Sequence, residues 1–341
     1  MATYPRRIIL SRTDNIGDVV LTLPMAGIIK RRYPDCEVIF LAQRYLEPVL
    51  EACPSVDRVL DWTALGEQAP GSVAEALAET AADAIIHVFP DRSIAHAARR
   101  AAIPLRIGTK RRWYHRLTCN RLVPLSRKHS DRHEAELNVQ LLAPLEAIET
   151  DYHLPDLVEF LTLLPEDGAR RRVDEFLNSA QFKLVLHPGS RGNGKEWPER
   201  HYLDLVDRLK STDYQALVTG TADEGHRFAR LADHPLTVDL TGKLGLAELV
   251  ALLAAVDGVV ASGTGPLHMA AATGTPTLGL FPTKAGPIGA DRWGPLGRRA
   301  QFLTFQDAEH SCAEGRTCSC MAGIGVERVA EVVERWMAVG N

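Results

Sequence analysis

A run of small residues in the second half of the chain could bind a phosphate. Residues 261–276 read ASGTGPLHMAAATGTP and lie between two short apolar runs, VDGVV and TLGLF. Glycine permits a tight turn, and the start of the Ala-rich helix that follows offers unpaired N–H groups and a positive dipole end. The turn is either purely structural or a phosphate site formed by Gly263, Thr264 and Gly265. His268 is a further candidate contact, although a lone helical histidine is more often a packing residue.

A second candidate segment follows the first predicted strand. Residues 11–24 read SRTDNIGDVVLTLP and lead into a helix predicted over 18–32. Gly17 would allow close approach of the backbone to a ligand. Asp14 or Asp18 could simply cap this helix, since aspartate is favoured at helix starts. Alternatively, the Asp18 carboxylate could serve as a general base.

Cations and glycines come together after the predicted strand KLVL. Residues 187–202 read HPGSRGNGKEWPERHY, in which Ser190, Arg191 and Lys195 precede the predicted helix start at Pro198. A flexible backbone with two cations at a strand exit suits a diphosphate. The alternative is a mobile surface loop with solvated charges.

Two further strand-exit loops carry polar candidates. Glu224 in TGTADEGH could hydrogen-bond a ribose or could supply negative charge to the first helical turn. Thr241 and Lys243 in TGKLGLAEL could line the same site, and Lys243 is better explained as a solvated surface residue.

A strongly basic stretch lies in the first half. Residues 92–132 contain twelve Lys or Arg against a single Asp, while the whole chain has a formal net charge of -4. Within it, KRRWYHR interleaves aromatic side chains with Arg111, Arg112 and Arg116. An anionic ligand or an anionic membrane surface would be attracted to such a segment, at about 1 kcal/mol per cation for a membrane. No RNA-binding motif accompanies it, so we expect no nucleic-acid partner. A solvated basic face remains the alternative.

Composition limits the class of protein. The 341 residues are 24% charged and 45% hydrophobic, which is ordinary for a soluble globular protein. The apolar run near the N-terminus is too short for a signal-peptide core, and no transmembrane run occurs, so we expect a cytoplasmic protein that at most touches the inner membrane.

Cys312, Cys318 and Cys320 cluster near His310, but their spacing is not standard for zinc. The sequence therefore favours a structural loop there, and predicts neither a metal site nor a cofactor.

Strand and helix patterns alternate along the whole chain. Near-continuous apolar strands between helices indicate parallel sheets covered on both faces. The pattern restarts after a break, so we predict an N-terminal Rossmann-like domain over 1–165 and a C-terminal one over 166–341. Ligands of such sheets bind beyond the carboxyl ends of the strands, and two facing domains would enclose a central cleft there. We expect the last helix, about 326–339, to pack back on the N-terminal domain.

Several of these motifs together resemble a known family. The chain is similar to the ADP-heptose:lipopolysaccharide heptosyltransferases, glycosyltransferase family 9, over nearly its full length. The resemblance rests on IGDVVLTLP, HPGSRGNGKEWPERHY, VTGTADE, LTGKLGLAELVALL and SGTGPLHMAAATGTPTLGLF, in this order. Each motif is weak alone, but their order and separations are fairly specific.

The resemblance implies a GT-B fold and inverting transfer of a sugar from a nucleotide diphosphate, with the donor on the C-terminal domain and the acceptor on the N-terminal one. Asp18 matches the proposed base, Lys195 the lysine that contacts the donor phosphates, Glu224 a ribose contact, and Thr264 with Gly265 the phosphate-binding turn. The basic stretch suits a phosphorylated or acidic glycolipid acceptor such as the lipopolysaccharide core.

One departure bears on the donor. The family's turn often has aspartate where this chain has Gly263, so a donor other than ADP-heptose stays open. Two other classes also stay open. A sugar-nucleotide epimerase would bind donor without depending on an acceptor, and a non-catalytic nucleotide-sugar or anion-binding protein would tolerate loss of Asp18. A nicotinamide-dependent dehydrogenase is disfavoured because no G-x-G-x-x-G follows the first strand.

Overall fold

The computed structural model describes residues 4–66, 71–128, 130–146, 148–177, 182–190, 192, 194–209, 213–305, 312 and 315–340. The chain divides into two compact units, one up to Thr162 and one from Leu163 onward. Each unit is built around its own parallel sheet.

The strands within these ranges are β1 (Arg7–Ser11), β2 (Glu37–Ala42), β3 (Arg58–Asp61), β4 (Ala84–His87), β5 (Leu105–Thr109), β6 (Arg121–Val123), β7 (Phe182–His187), β8 (Tyr214–Val218), β9 (Thr237–Asp239), β10 (Gly258–Ser262), β11 (Thr277–Phe281) and β12 (Ala300–Thr304). The helices of the first unit are α1 (Ile16–Val20), α2 (Leu23–Arg32), α3 (Glu47–Glu51), α4 (Trp62–Gly66), α5 (Ser72–Glu79), α6 (Arg92–Arg100), α7 (His115–Thr118), α8 (Glu134–Val139) and α9 (Leu154–Leu157). Those of the second unit are α10 (Asp167–Asp174), α11 (Glu199–Leu209), α12 (Ala222–Arg227), α13 (Ala229–Ala232), α14 (Leu246–Ala255), α15 (Gly265–Ala272), α16 (Ala290–Trp293), α17 (Ser319–Ala322) and α18 (Val326–Gly340). Short 3-10 turns cover Arg44–Leu46, Gln140–Leu142 and Val158–Phe160.

The two sheets have the same topology. Among the described residues the first has the strand order β3-β2-β1-β4-β5-β6, and the second β12-β11-β10-β7-β8-β9. All pairs in both sheets are parallel, for example β1 with β4 and β7 with β10. This is the doubly wound Rossmann order, so the predicted α/β class with two Rossmann-like sheets is confirmed. The order reverses next to β1 in one sheet and next to β7 in the other, and ligands of such sheets bind at that switch point.

The strand sequences explain why the sheets form. The central strands are apolar on both faces, as helices on both sides require: Ile8, Ile9 and Leu10 of β1 and Val259, Val260 and Ala261 of β10 are fully buried. The interior is therefore hydrophobic up to the last residue of each strand, where polar side chains begin.

The last helix belongs to the core of the second unit. Val329, Ala330, Val332 and Val333 of α18 are buried in the same cluster as the apolar side chains of α11 and β7. Packing of this helix on the N-terminal domain stays a prediction.

One predicted element is wrong in its bounds. The helix expected over 18–32 begins earlier and is divided into α1 and α2. The N–H of Thr22 bonds back to the Val19 carbonyl, which closes α1 with a short turn, and Pro24 then stands in the first turn of α2, where its missing N–H costs nothing.

None of the helices in the described parts of the chain is long and apolar enough to span a bilayer.

Candidate functional site

In the first unit, the exit of β1 forms a charged network around a buried arginine. Arg12 lies directly after β1 and is 3% exposed. Its guanidinium donates to Asp14 Oδ1 at 2.8 Å and to Asp18 Oδ1. The network thus places two carboxylates on one cation at the switch point of the sheet.

Residues from far along the chain complete this network. Arg12 Nη1 also donates to Glu134 Oε1 and Asn138 Oδ1, each at 3.3 Å, from α8. Arg127 contacts the same two acceptors, at 2.8 and 2.7 Å. Asn138 Nδ2 in turn donates to the Leu21 carbonyl at 3.1 Å, at the end of α1. The orientation of Arg12, and through it of Asp18, is therefore fixed from both sides.

This environment changes the pKa values of Asp14 and Arg12. Burial raises the pKa of Asp14 to about 6, against the opposing effect of Arg12. Burial alone would lower the pKa of Arg12, but the carboxylates around it outweigh burial and raise it, so Arg12 stays charged. Asp14 and Asp18 are each 16% exposed at the side chain, so both reach solvent.

The capping interpretation of Asp14 and Asp18 is wrong. Asn15 is the N-cap of α1, and Gly17 and Asp18 are its second and third residues. The Asp18 carboxylate accepts from the side chains of Arg12 and Asn15, the latter at 3.4 Å. The Asp18 carboxylate is thus oriented by a guanidinium and a side-chain amide close to the carboxyl end of β1.

In the second unit, the loop after β7 is organised by a buried glutamate. Glu196 is 5% exposed and accepts from the Ser190 N–H at 2.8 Å. Arg227, the last residue of α12, donates to both of its carboxylate oxygens at 2.9 and 2.8 Å, and this hydrogen-bonded pairing raises the pKa of Arg227. The candidate Ser190 is thereby fixed, whereas Arg191 lies outside the described residues.

Lys195 contacts a second segment of the unit. Its Nζ donates to the carbonyl of Gly315, and the neighbouring Glu196 N–H donates to the Arg316 carbonyl at 2.7 Å. Trp197 anchors the loop to the interior of the unit, because it is fully buried and donates from Nε1 to the Ile324 carbonyl at 2.9 Å. The lysine therefore lies on the rim of a well-anchored loop.

Glu224 and Thr241 lie beside each other at the exits of β8 and β9. Glu224 Oε2 accepts from the Thr221 N–H at 2.8 Å, which closes a capping box at the start of α12. Thr241 donates to Asp239 Oδ1 from both its N–H and its hydroxyl. A Cβ at Gly225 would lie 2.2 Å from Thr241 Oγ1, so the helix start packs directly on this threonine. Of the two interpretations of Glu224, the structure supports the helix-start one; ribose binding stays a prediction.

The turn after β10 closes the site. Thr264 is the N-cap of α15, and its own side chain makes no capping hydrogen bond; the Thr264 hydroxyl donates instead to the Ser262 carbonyl at 3.2 Å. A Cβ at Gly194 would come within 2.5 Å of the Gly263 carbonyl, so this turn and the loop after β7 touch through glycine. Gly265 begins the helix, and His268 within it is buried at 4% exposure.

Packing explains why residue 263 is a glycine. A Cβ there would lie 2.7 Å from the ring of Phe281, the last residue of β11, which is 2% exposed. The aromatic ring fills the space that a side chain at 263 would need.

The basic candidates lie on an exposed tip of the first unit. Arg111, Arg112 and Arg116 are all exposed, and they flank Trp113 and Leu117, which are 60% and 57% exposed. Arg92 stacks over the Trp113 ring at 5.1 Å. The sequence pattern of cations and aromatics is thus a surface feature.

The sequence did not point to three residues that form the buried ion pairs of these loops: Arg12, Glu196 and Arg227. The strand-exit position of Arg12 and the adjacency of Glu196 to Lys195 were available signals. No local signal marks Arg227, because its partner is 31 residues away.

Comparison with known proteins assigns the family. Residues 71–322 match the family model described as glycosyltransferase family 9 (heptosyltransferase). The chain belongs to this family. It is therefore a glycosyltransferase, as the sequence predicted, and the resemblance noted there is confirmed.

Relatives and solved structures agree with this assignment. Lipopolysaccharide heptosyltransferase 1 of Pseudomonas aeruginosa is 27% identical over 305 residues, covering 83% of this chain and 81% of the relative. The structure of Escherichia coli ADP-heptose lipopolysaccharide heptosyltransferase II is 21% identical, with a TM-score of 0.78 over 98% of this chain and 99% of that one. Escherichia coli heptosyltransferase WaaC with ADP-2-deoxy-2-fluoro heptose is 19% identical, with a TM-score of 0.68 over 96% and 99%. The predicted GT-B fold class is confirmed by these structures.

Proposed function

We propose that this family member transfers heptose from ADP-heptose to a lipopolysaccharide-core acceptor, with inversion at the anomeric carbon. The observation that carries the proposal is the Asp18 carboxylate, which is held by Arg12 at the exit of β1 and still reaches solvent. The acceptor hydroxyl would attack the anomeric carbon, its proton would pass to Asp18, and ADP would leave.

Arg12 would serve as a positioning residue. A base must stay charged until the acceptor hydroxyl arrives, and a neighbouring cation stabilises the charged carboxylate. Asp14 contacts the same guanidinium, and its pKa of about 6 makes it the rival for the role of base. Experiment must therefore decide which of the two aspartates acts as the base.

The second unit would bind the donor. Lys195 and the start of α15 at Thr264 and Gly265 are the groups proposed to face the diphosphate, where they would stabilise charge on the leaving ADP. With these groups in place the transfer step needs no metal ion. ADP-heptose is the favoured donor because the similar heptosyltransferase WaaC of Escherichia coli has been solved with ADP-2-deoxy-2-fluoro heptose. Ser190, Glu224, Thr241 and His268 remain proposed donor-side residues.

The acceptor would be anionic and carried by a membrane. The exposed Arg111, Arg112 and Arg116 would attract phosphates or acidic sugars of a lipopolysaccharide core. Trp113 beside them is an amphipathic side chain of the type that settles at a membrane interface. The proposed place of action is the cytoplasmic face of the inner membrane.

Two measurements test this function. Calorimetry with ADP-, UDP-, GDP- and dTDP-sugars should show selective binding of the ADP-sugar, weakened about 10- to 100-fold in Lys195→Ala. Lys183→Ala is the control, because Lys183 is the second residue of β7, at the end of the strand opposite to the loop that carries Lys195. Selective binding of another nucleotide sugar would contradict the proposed donor.

The base is tested by a matched pair of variants. Asp18→Asn should lower kcat for heptose transfer about 100- to 10,000-fold while leaving donor binding intact. Asp14→Asn, equally exposed and on the same arginine, should retain activity within about tenfold. The reverse pattern would assign the base to Asp14, and full activity in both variants would refute a carboxylate base here.

A further inference from the structure

Three cysteines of the second unit converge in space. Cys312, Cys318 and Cys320 have Sγ atoms that all lie within 4.8 Å of one another, and Cys312 Sγ is 4.0 Å from Cys320 Sγ. We propose that these three thiols bind a zinc ion as thiolates. From its spacing alone, the same segment was expected to be a structural loop without a metal.

The spacing of the sulfur atoms fits a metal better than a disulfide. Zinc–sulfur bonds of about 2.3 Å in tetrahedral geometry place two sulfurs about 3.8 Å apart. The observed separation is close to this value, whereas a disulfide requires about 2.05 Å. A metal ion would therefore fit among the three sulfurs with small shifts of the side chains.

The ligands are held by the surrounding fold. Cys318 is the N-cap of α17 and Cys320 is the second residue of that helix, where it is buried next to Met321 of the hydrophobic core. Cys312 reaches the same place from the other end of the loop. Contacts between thiols thus join the two arms, and a metal ion would replace these contacts with coordinate bonds.

The chemistry of the donor set selects the ion. Thiolates favour soft or borderline metals, and zinc is the common partner of clustered cysteines in proteins. Three thiolates leave one of the four zinc positions for a further ligand or water. The other cysteines in the described residues, Cys36, Cys53 and Cys119, belong to the first unit and are not part of this group.

The loop closed by the ion carries contacts to the proposed donor site. Between Cys312 and Cys318 lie Gly315, whose carbonyl accepts from Lys195, and Arg316, whose carbonyl accepts from the Glu196 N–H. Loss of the ion should therefore also weaken donor binding. That consequence rests on the proposed function, whereas metal binding itself does not.

The test uses the full-length, reduced protein. Protein purified without metal-affinity resin or chelator should contain one zinc ion per chain by elemental analysis. After metal removal, Co²⁺ titration should saturate at one equivalent with a thiolate-to-cobalt charge-transfer band, and binding should release the thiol protons. Absence of both zinc and the saturable band would overturn the proposal, whatever the enzyme's activity.

Variants assign the ligands. Cys312→Ser, Cys318→Ser and Cys320→Ser should each abolish the stoichiometric charge-transfer band, while the half-buried Cys119→Ser should keep it. Circular dichroism verifies that each variant is folded. Alkylation of the isolated protein followed by mass spectrometry shows whether these cysteines form a disulfide. A disulfide within this group, together with no metal binding after reduction, would refute the zinc site.

Discussion

Replacing His87 by leucine should reduce the pH dependence of the stability of the first unit. His87 ends β4 and lies in register with Ser11 of β1, one residue before Arg12. It is 1% exposed, and neither ring nitrogen has a hydrogen-bond partner among the described residues. Burial, with smaller contributions from His115 and Arg106, lowers the pKa of His87 to about 3. The imidazole is therefore neutral in the folded state.

The size of the effect follows from linkage. A group whose pKa falls from 6.5 in the unfolded chain to about 3 in the folded one binds a proton more readily when unfolded, so stability is lost as the pH falls below 6.5. Between pH 7 and pH 5 this histidine should cost the wild type about 2 kcal/mol, at 1.36 kcal/mol for each unit. Asp14 acts in the opposite direction, because its raised pKa favours proton binding in the folded state. The difference between wild type and variant isolates His87.

Amide hydrogen exchange in β4 is the appropriate assay, since it reports opening of the first sheet separately from the second. We expect the loss of opening free energy from pH 7 to pH 5 to be smaller by about 2 kcal/mol in His87→Leu. At pH 7 the variant should be at least as stable, since leucine removes polar atoms that lack partners. Replacement of the exposed His226 is the control. Equal pH dependence in wild type and variant, within about 0.5 kcal/mol, would refute the reasoning.

The remaining predictions concern the proposed donor and acceptor sites. Glu196→Gln should weaken ADP-heptose binding about tenfold by calorimetry, because its amide cannot accept both bonds from Arg227; unchanged affinity would show that this pair does not organise the loop. Gly263→Asp should destabilise the second unit by about 1–3 kcal/mol in chemical denaturation, and the same substitution should cost less in a Phe281→Ala background; additive effects of the two substitutions would exclude the steric explanation. Trp113→Ala should lower cosedimentation with anionic vesicles without changing the free energy of unfolding, and unaltered cosedimentation would argue against membrane contact by this tip.

The sequence was sufficient for the fold because the fold depends on local patterns. Apolar strands such as Ile8–Leu10 and the helices between them are visible in any short window, and their alternation implies parallel sheets. The division of the predicted first helix into α1 and α2 was not visible, because two adjacent helices on one apolar stretch share the same periodicity.

The site was only partly predictable for a different reason. Asp18 and Lys195 could be proposed from the sequence because they stand in short motifs at strand exits. Arg12 owes its role to Glu134, which is 122 residues away, and such an ion pair has no sequence signature. The cysteine group was predicted to be a structural loop because the rule used was one of spacing, whereas the fold brings the sulfurs together irrespective of it.

The arrangement of the second unit limits what could hold a donor there. Both buried carboxylates of this site already have partners, Glu196 in Arg227 and Glu224 in the cap of α12. Residue 263 is glycine, where the resemblance implied an aspartate, and the buried Phe281 ring fills the space that a side chain there would need. Among the residues described, the groups proposed to meet a nucleotide sugar are therefore mainly cations and backbone N–H groups, which would recognise the diphosphate. Selectivity for the sugar would then have to come from shape and from the exclusion of wrong sugars, because a diphosphate contact is common to all the candidate donors.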